Sequence, residues 1–376
     1  MDYSNLTPSP ARIKVIGVGG GGCNAITRMV REGIRGVEFI AVNTDAQALL
    51  RTEAPERVRI GDDLTNGLGV GGDPKAGLAA AEESRDDLHQ LVSNADMVFL
   101  AGGFGGGTGT GATPVIAELA KASGALTIAI VTKPFSFEGR RRQEVAEEGI
   151  ATIMDKVDTL IIIPNDRLLA LCDQKALMEK AFKMADESLL QGVRAIAELI
   201  TVPGEINLDF ADVRAVMSNA GPAWMATGRG SGPNRALEAA KAAIASPLLD
   251  ASIAGAKGVL FNVTGGEDLT LHEVNEAAEL ISKVVDPEAN IIFGVVFQPE
   301  MEDEVKITLI ATGFSSSMTI SPLVPDEEMN QLLHGLQDEN EMDIPSFLRR
   351  PLSLRRRQAA PHTPTTENSP SPSVAP

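Results

Sequence analysis

Gly102-Gly-Phe-Gly-Gly-Gly-Thr-Gly-Thr-Gly111 decides how the rest of this sequence is read. The apolar run Met97-Val-Phe-Leu-Ala101 before it predicts a buried strand. Ala112-Thr-Pro-Val-Ile-Ala-Glu-Leu-Ala120 after it predicts a helix, with Pro114 tolerated in the first turn. Inside either element a glycine costs up to about 1 kcal/mol against alanine, so a run of glycines stabilises neither. Backbone without Cβ atoms instead lets a ligand approach the peptide plane. Successive N–H groups can converge on an anion in front of a helix N-terminus, where the dipole favours negative charge. Thr108 and Thr110 add hydroxyls to the same concave surface. Between a strand and a helix, such a loop predicts a phosphate cradle.

Around it, residues 12–175 alternate strand and helix signals. Strands are predicted at Ile13–Gly17, Val37–Val42, Val58–Ile60, Met97–Ala101, Leu126–Val131 and Thr159–Ile163, with alanine-rich helical stretches at 76–92, 112–122 and 139–154. This alternation predicts an α/β fold: a mostly parallel, Rossmann-like sheet with helices on both faces, binding its ligand at the carboxyl ends of the strands. A second glycine loop, Gly19-Gly-Gly-Gly-Cys-Asn-Ala25, follows the first strand. Together with Gly17 it satisfies G-x-G-x-x-G, and Asp45 closes the next strand about 20 residues on, as in dinucleotide-binding enzymes. A nicotinamide-dependent oxidoreductase is therefore one reading. Two glycine loops around one phosphate tail favour a nucleoside triphosphate instead. No G-x-x-x-x-G-K-[ST] is present, which excludes a P-loop enzyme.

Composition narrows the field. The 376 residues carry 33 Lys and Arg against 51 Asp and Glu, a net charge of −18, which argues against nucleic acid and anionic membrane as partners. The start is polar, and no apolar run approaches the roughly 20 residues of a membrane span, so a cytoplasmic protein without membrane insertion is expected. Two cysteines and four scattered histidines form neither a disulfide framework nor a metal motif.

One long helical pattern runs from Asp173 to about Val202, stopped by Pro203-Gly204. It is either a spine joining two domains or an ordinary core helix. Beyond it, Asp209 and Asp212 are spaced to share a helical face. They serve either as N-cap and third-position acid of a helix or as a carboxylate pair that polarises a water for attack on a phosphoryl group. Strands at Gly258–Thr264, Ile291–Phe297 and Val305–Thr312, with helices near 234–245 and 270–284, predict a second, α+β domain. From Asp326 to Asp343 there are seven acids and no lysine or arginine, followed by arginines and a Pro/Ser/Thr tail. That composition predicts disorder, interrupted by the apolar island Ile344-Pro-Ser-Phe-Leu348, which has the form of a docking motif.

Four separated stretches carry a resemblance: Gly19–Ala25, Gly105–Gly111, Lys133-Pro-Phe-Ser-Phe-Glu-Gly139 and Asn207-Leu-Asp-Phe-Ala-Asp212. Together the sequence resembles the FtsZ family, the bacterial tubulin-like GTPases of cell division, from about Ile13 to Phe314. Asp343–Arg350 resembles that family's terminal docking peptide, although about 26 residues follow it here. The resemblance implies a disordered N-terminus (1–11), a GTP-binding domain (12–175), a central helix (176–203), a C-terminal domain (204–314) and a disordered linker and tail (315–376). It implies that Gly20, Gly21, Gly22, Gly107, Thr108 and Gly109 line the phosphates, with Cys23 at a position where many relatives have glycine. Asn24 and Asp186 would read the guanine edge, Phe182 would stack on the base, and Glu138 and Arg142 would contact the ribose. From the residues alone, Phe182 is a core side chain and Glu138–Arg142 an i,i+4 ion pair. Asn207, Asp209 and Asp212 would act catalytically on the nucleotide of the adjacent subunit in a head-to-tail filament at a mid-cell division ring. The implied ligands are GTP or GDP with Mg²⁺, for which no protein ligand is identified. The implied partners are further copies of the chain, with membrane-tethering and regulatory division proteins bound through Asp343–Arg350. A non-hydrolysing tubulin-like scaffold is the remaining alternative.

Overall fold

The computed structural model describes residues 11–170, 177–201, 209–249, 253–298 and 301–314. Asn207, Cys172, the first ten residues and the docking peptide lie outside them. Six strands, β1 (Ile13–Val18), β2 (Val37–Asn43), β3 (Glu56–Arg59), β4 (Met97–Gly103), β5 (Leu126–Lys133) and β6 (Thr159–Pro164), lie in the order 3-2-1-4-5-6. Every neighbouring pair among them is parallel. This is the Rossmann order, and its reversal point falls between β1 and β4. Both glycine loops therefore leave the sheet at the crevice where such folds bind ligands.

Side chains of successive residues point to opposite faces of a strand, and each face here is covered. Val15, Phe99 and Ile130 enter one apolar cluster, whereas Ile16, Leu100 and Val131 enter the other. The first cluster is completed by α1 (Gly19–Arg31), with a contribution from α2 (Ala46–Arg51). After the short α3 (Asp62–Thr65), helices α4 (Pro74–Glu83), α5 (Arg85–Val92), α6 (Thr108–Ala122) and α7 (Arg140–Ile153) complete the second. Each large side chain buried here, such as Phe99 or Ile16 at 0% exposure, is worth about 1.5–3 kcal/mol. Ala11, expected in a disordered N-terminus, packs against the first cluster.

Both glycine runs read as loops prove to be partly helical. Gly19–Gly22 form the first turn of α1, and Thr108–Gly111 the first turn of α6. Pro114 consequently lies inside α6 and not in its first turn. The stretch 76–92 is two helices broken at Ser84, whose Oγ accepts the Gly61 N–H.

Following α8 (Asn165–Ala170), α9 (Met178–Thr201) spans about 36 Å at 1.5 Å per residue. Leu177 is not helical, so the long helix starts later than its apolar pattern predicts. The carbonyl of Leu177 accepts the Lys180 N–H at 2.9 Å, closing the first turn from outside. Gly192 weakens the middle of α9, but a Cβ there would lie 3.0 Å from Ile130 Cδ1 and 3.3 Å from Met225 Sδ. Close packing thus explains the glycine. Leu190, Val193 and Ile196 of α9 share one apolar cluster with Ile130 on one side and Leu260 and Ile310 on the other.

The remaining strands, β7 (Gly221–Ser231), β8 (Gly258–Gly265), β9 (Asn290–Phe297) and β10 (Glu304–Thr312), continue the sheet in the order β7-β10-β8-β9. The sequence pattern did not predict β7. It joins the two halves, running parallel to β6 at Thr159–Ile161 and antiparallel to β10 along its length. α10 (Phe210–Met217) adds Val213, Val216 and Met217 to the first cluster, and α11 (Arg235–Ile244) and α12 (Leu271–Val284) complete the fold. No described helix is long and apolar enough to cross a membrane.

Candidate functional site

A cavity of about 590 Å³ opens at the carboxyl ends of the parallel strands, within the range of small-molecule sites. Helix N-termini supply its floor. α1 starts behind Val18 and α6 behind Gly107, and neither helix has a side-chain cap. By contrast Asp45, Asp73, Asp209 and Thr270 cap α2, α4, α10 and α12. The first N–H groups of α1 and α6 are therefore left for a ligand, with both dipoles favouring an anion.

Glycine is required where these helices meet. Gly19 has φ +71°, and a Cβ on it would sit 2.7 Å from the Gly109 nitrogen. Gly20 and Gly106 line the cavity with nothing within 4 Å of where a Cβ would project. A ligand can approach both peptide planes.

Of the residues predicted from sequence, Gly20, Gly21, Asn24, Gly107, Thr108, Gly109, Glu138, Arg142, Phe182 and Asp186 line the cavity. Gly22 and Cys23 do not. A Cβ on Gly22 would lie 2.4 Å from the Ala101 carbonyl oxygen, so that glycine serves the packing of α1 on β4. Cys23 is buried in the core with Asn43 Nδ2 3.8 Å from its sulfur, and burial pushes its thiol pKa up. Thr110 also turns away, accepting the Gly105 N–H at 2.9 Å.

The polar lining is already organised. Glu138 Oε1 accepts the Phe135 N–H at 3.0 Å, and its Oε2 accepts Arg142 Nη1 at 2.6 Å. The ion-pair reading and the site reading of these two residues hold together. Phe182 is 39% exposed at the cavity and not a core side chain. Burial raises the Asp186 carboxyl to about 6, and the Arg28 charge offsets this only in part.

Several lining residues carry no assignment to this site from sequence. Asn43 ends β2, Asp45 follows it two residues on, and Asn165 follows β6, each at the carboxyl end of a parallel strand where the topology itself flags them. The run Gly69-Val-Gly-Gly72 is a third glycine loop. Asn165 is 6% exposed, and its Oδ1 has no hydrogen-bond partner among the described residues. Asp45, which the dinucleotide fingerprint would direct to a ribose, instead caps α2 through Oδ1, accepting from Gln47 N–H (2.8 Å) and Ala48 N–H (3.1 Å).

Asp209 and Asp212 lie outside this cavity. They form a capping box at the start of α10, with Asp209 Oδ1 accepting the Asp212 N–H at 2.9 Å. The capping role is the one seen within a single chain.

Comparison with known proteins bears on this geometry. Residues 12–173 match the Tubulin/FtsZ family, GTPase domain, and residues 221–315 match the FtsZ family, C-terminal domain. The fold is similar to that of M. jannaschii FtsZ, solved as an empty dimer, with 46% identity and a TM-score of 0.80 over 83% of this chain and 90% of that one. A point mutant of the same protein matches equally well, covering 94% of its chain. CetZ2 from Haloferax volcanii, solved as a GTPγS-bound protofilament, shares the fold at 21% identity and a TM-score of 0.69, over 88% of this chain and 99% of that one. The matched family is one of GTPases, and the oxidoreductase reading finds no support. With both family domains in sequence order on one continuous sheet, the chain belongs to the FtsZ family of tubulin-like GTPases.

Proposed function

We propose that the chain binds GTP in this cavity, assembles head to tail into filaments, and hydrolyses GTP where one subunit meets the next. The phosphates would lie on the uncapped N-termini of α1 and α6, the base against Phe182, Asn24 and Asp186, and the ribose by Glu138 and Arg142. Gly22 and Cys23 would support the first loop from behind. A carboxylate acceptor suits the guanine N–H donors and disfavours adenine.

One observation carries the shared-site reading: the cavity offers no carboxylate left over to activate water once the base is bound. None of its described lining residues is a histidine or lysine, Asp45 and Glu138 are engaged in hydrogen bonds, and Asp186, the remaining lining carboxylate, is the one given above to the base. Asp209 and Asp212 are exposed at the start of α10 and would reach the nucleotide of a neighbour, together with Asn207, two residues earlier in the sequence. Apolar side chains close in sequence to the lining residues are also exposed: Leu64, Leu68, Phe137, Leu177 and Met178. Such a surface suits a subunit contact. Head-to-tail contacts do not close, and so produce filaments. The dimer of the M. jannaschii relative agrees with self-association.

An Mg²⁺ ion would arrive with the triphosphate, neutralising phosphate charge. The described residues contain no cluster of three ligating side chains, which fits an ion held mainly by phosphate and water. In the cell the filament would form the septation ring at mid-cell in the cytoplasm, tethered through Asp343–Arg350.

GTP turnover measured against protein concentration tests the proposal. Turnover per molecule should rise above a threshold at which light scattering reports polymer. Constant specific activity down to dilutions without polymer would show a site complete in one chain, and absence of turnover would favour a nucleotide-binding scaffold.

A further inference from the structure

Three phenylalanines beside the cavity form one aromatic cluster. Phe135 is fully buried; its ring stacks on Phe137 with centroids 4.9 Å apart and planes 13° apart. It meets Phe182 at 5.4 Å with planes 85° apart, and Phe137 meets Phe182 at 6.3 Å and 89°. Phe182 alone of the three lines the cavity.

The backbone beneath this cluster is fixed. The Phe135 N–H is held by Glu138 Oε1, and the Ser136 N–H donates to Asp166 Oδ1 at 2.8 Å. Phe182 stands on α9, a separate element. A perpendicular aromatic contact constrains the partner ring's plane, because the electropositive edge of one ring meets the electronegative face of the other. An aliphatic neighbour would fill the same space without that preference.

We infer that Phe135, backed by Phe137, is a positioning residue for the nucleotide base. It sets the plane of Phe182, against which the base stacks, and ties α9 to the loop that carries Glu138. This inference rests on the proposed placement of the base on Phe182.

A double-mutant cycle tests it. The affinity of nucleotide-free, full-length protein for GDP is measured for Phe135→Leu, Phe182→Leu and the double variant, with inorganic tripolyphosphate as a probe without a base. Phe135→Leu should weaken GDP binding about two- to tenfold, leave tripolyphosphate unchanged, and add no loss in the Phe182→Leu background. Equal losses in both backgrounds overturn the positioning role and leave base stacking intact. An unchanged GDP affinity in Phe182→Leu alone overturns base stacking and this inference together. If Phe135→Leu fails to fold by circular dichroism, Phe137→Leu, at a 55% exposed position, replaces it in the cycle with the same expected pattern.

Discussion

The hydroxyl oxygens of Thr44 and Thr108 lie 2.9 Å apart, and both residues are buried. Thr44 follows β2 and Thr108 opens α6, so this hydrogen bond joins two segments that border the cavity. Thr44→Val keeps the shape of the side chain and removes the bond. Stability should fall by about 1 kcal/mol, the net worth of a buried hydrogen bond. Urea melts check this, and an unchanged midpoint would show that the pair contributes nothing.

Asn165 gives the opposite pattern. Its Oδ1 is buried at the cavity without a partner among the described residues, so removing it costs none of their hydrogen bonds in the ligand-free protein. Asn165→Ala should leave thermal stability of the ligand-free protein near the parent value while weakening GDP binding by about 1–3 kcal/mol, the cost of an unpaired ligand donor. Undiminished GDP affinity by calorimetry would remove Asn165 from the site.

Asp186 makes nucleotide binding depend on pH. Burial raises its carboxyl to about 6, so the ligand-free side chain is largely ionised at pH 7 and largely protonated at pH 5. Guanine needs the ionised acceptor, hence GDP affinity should be level above about pH 6 and fall by up to about tenfold per unit below it. Asp186→Asn should bind weakly at every pH and flatten the profile. It should also stabilise the ligand-free protein at pH 7, because a carboxylate with a raised folded pKa destabilises the fold once ionised. A parent profile as flat as that of the variant between pH 5 and 7 would contradict the assignment.

Five of the first six strands were legible in the sequence because each is a short, largely apolar run between helices; β3, Glu-Arg-Val-Arg, is mostly charged, and Val58 and Ile60 placed it two residues late. β7 was not. Its sequence, Gly-Pro-Ala-Trp-Met-Ala-Thr-Gly-Arg-Gly-Ser, reads as a turn-rich segment, since glycine and proline are depleted in strands. The glycines are there for α11: a Cβ on Gly228 would lie 2.0 Å from the Ala239 carbonyl oxygen, and one on Gly230 would lie 2.1 Å from that of Arg235. Only the packed structure reveals that requirement. The glycine loops of the site could be recognised locally, but that Asn165 lines the same cavity as Asn43 and Asp45 follows only once the strands are ordered 3-2-1-4-5-6. Gly228→Ala should destabilise the protein by about 1–3 kcal/mol or more, because α11 must move off the sheet. A parent-like melting curve for this variant would mean that the helix yields freely.

Asp212 and Thr108 allow the shared site to be tested by mixing. Asp212 is exposed at the start of α10, and its side chain accepts the Asp209 N–H weakly, at 3.4 Å. Asp212→Asn keeps a group able to accept that bond while removing the carboxylate charge, so it should bind GTP and assemble but turn over slowly. Thr108 lines the cavity at 8% exposure, and Thr108→Arg fills the space where phosphate would lie. That variant should lose nucleotide binding but retain its acids. Each protein alone has every junction disabled. In a mixture, the intact cradle of an Asp212→Asn subunit can face the intact acids of a Thr108→Arg subunit, and phosphate release should recover in part. The gain should peak near equal proportions and disappear below the assembly threshold. An additive sum of the two residual activities, despite co-assembly detected by sedimentation, would place catalysis within one chain.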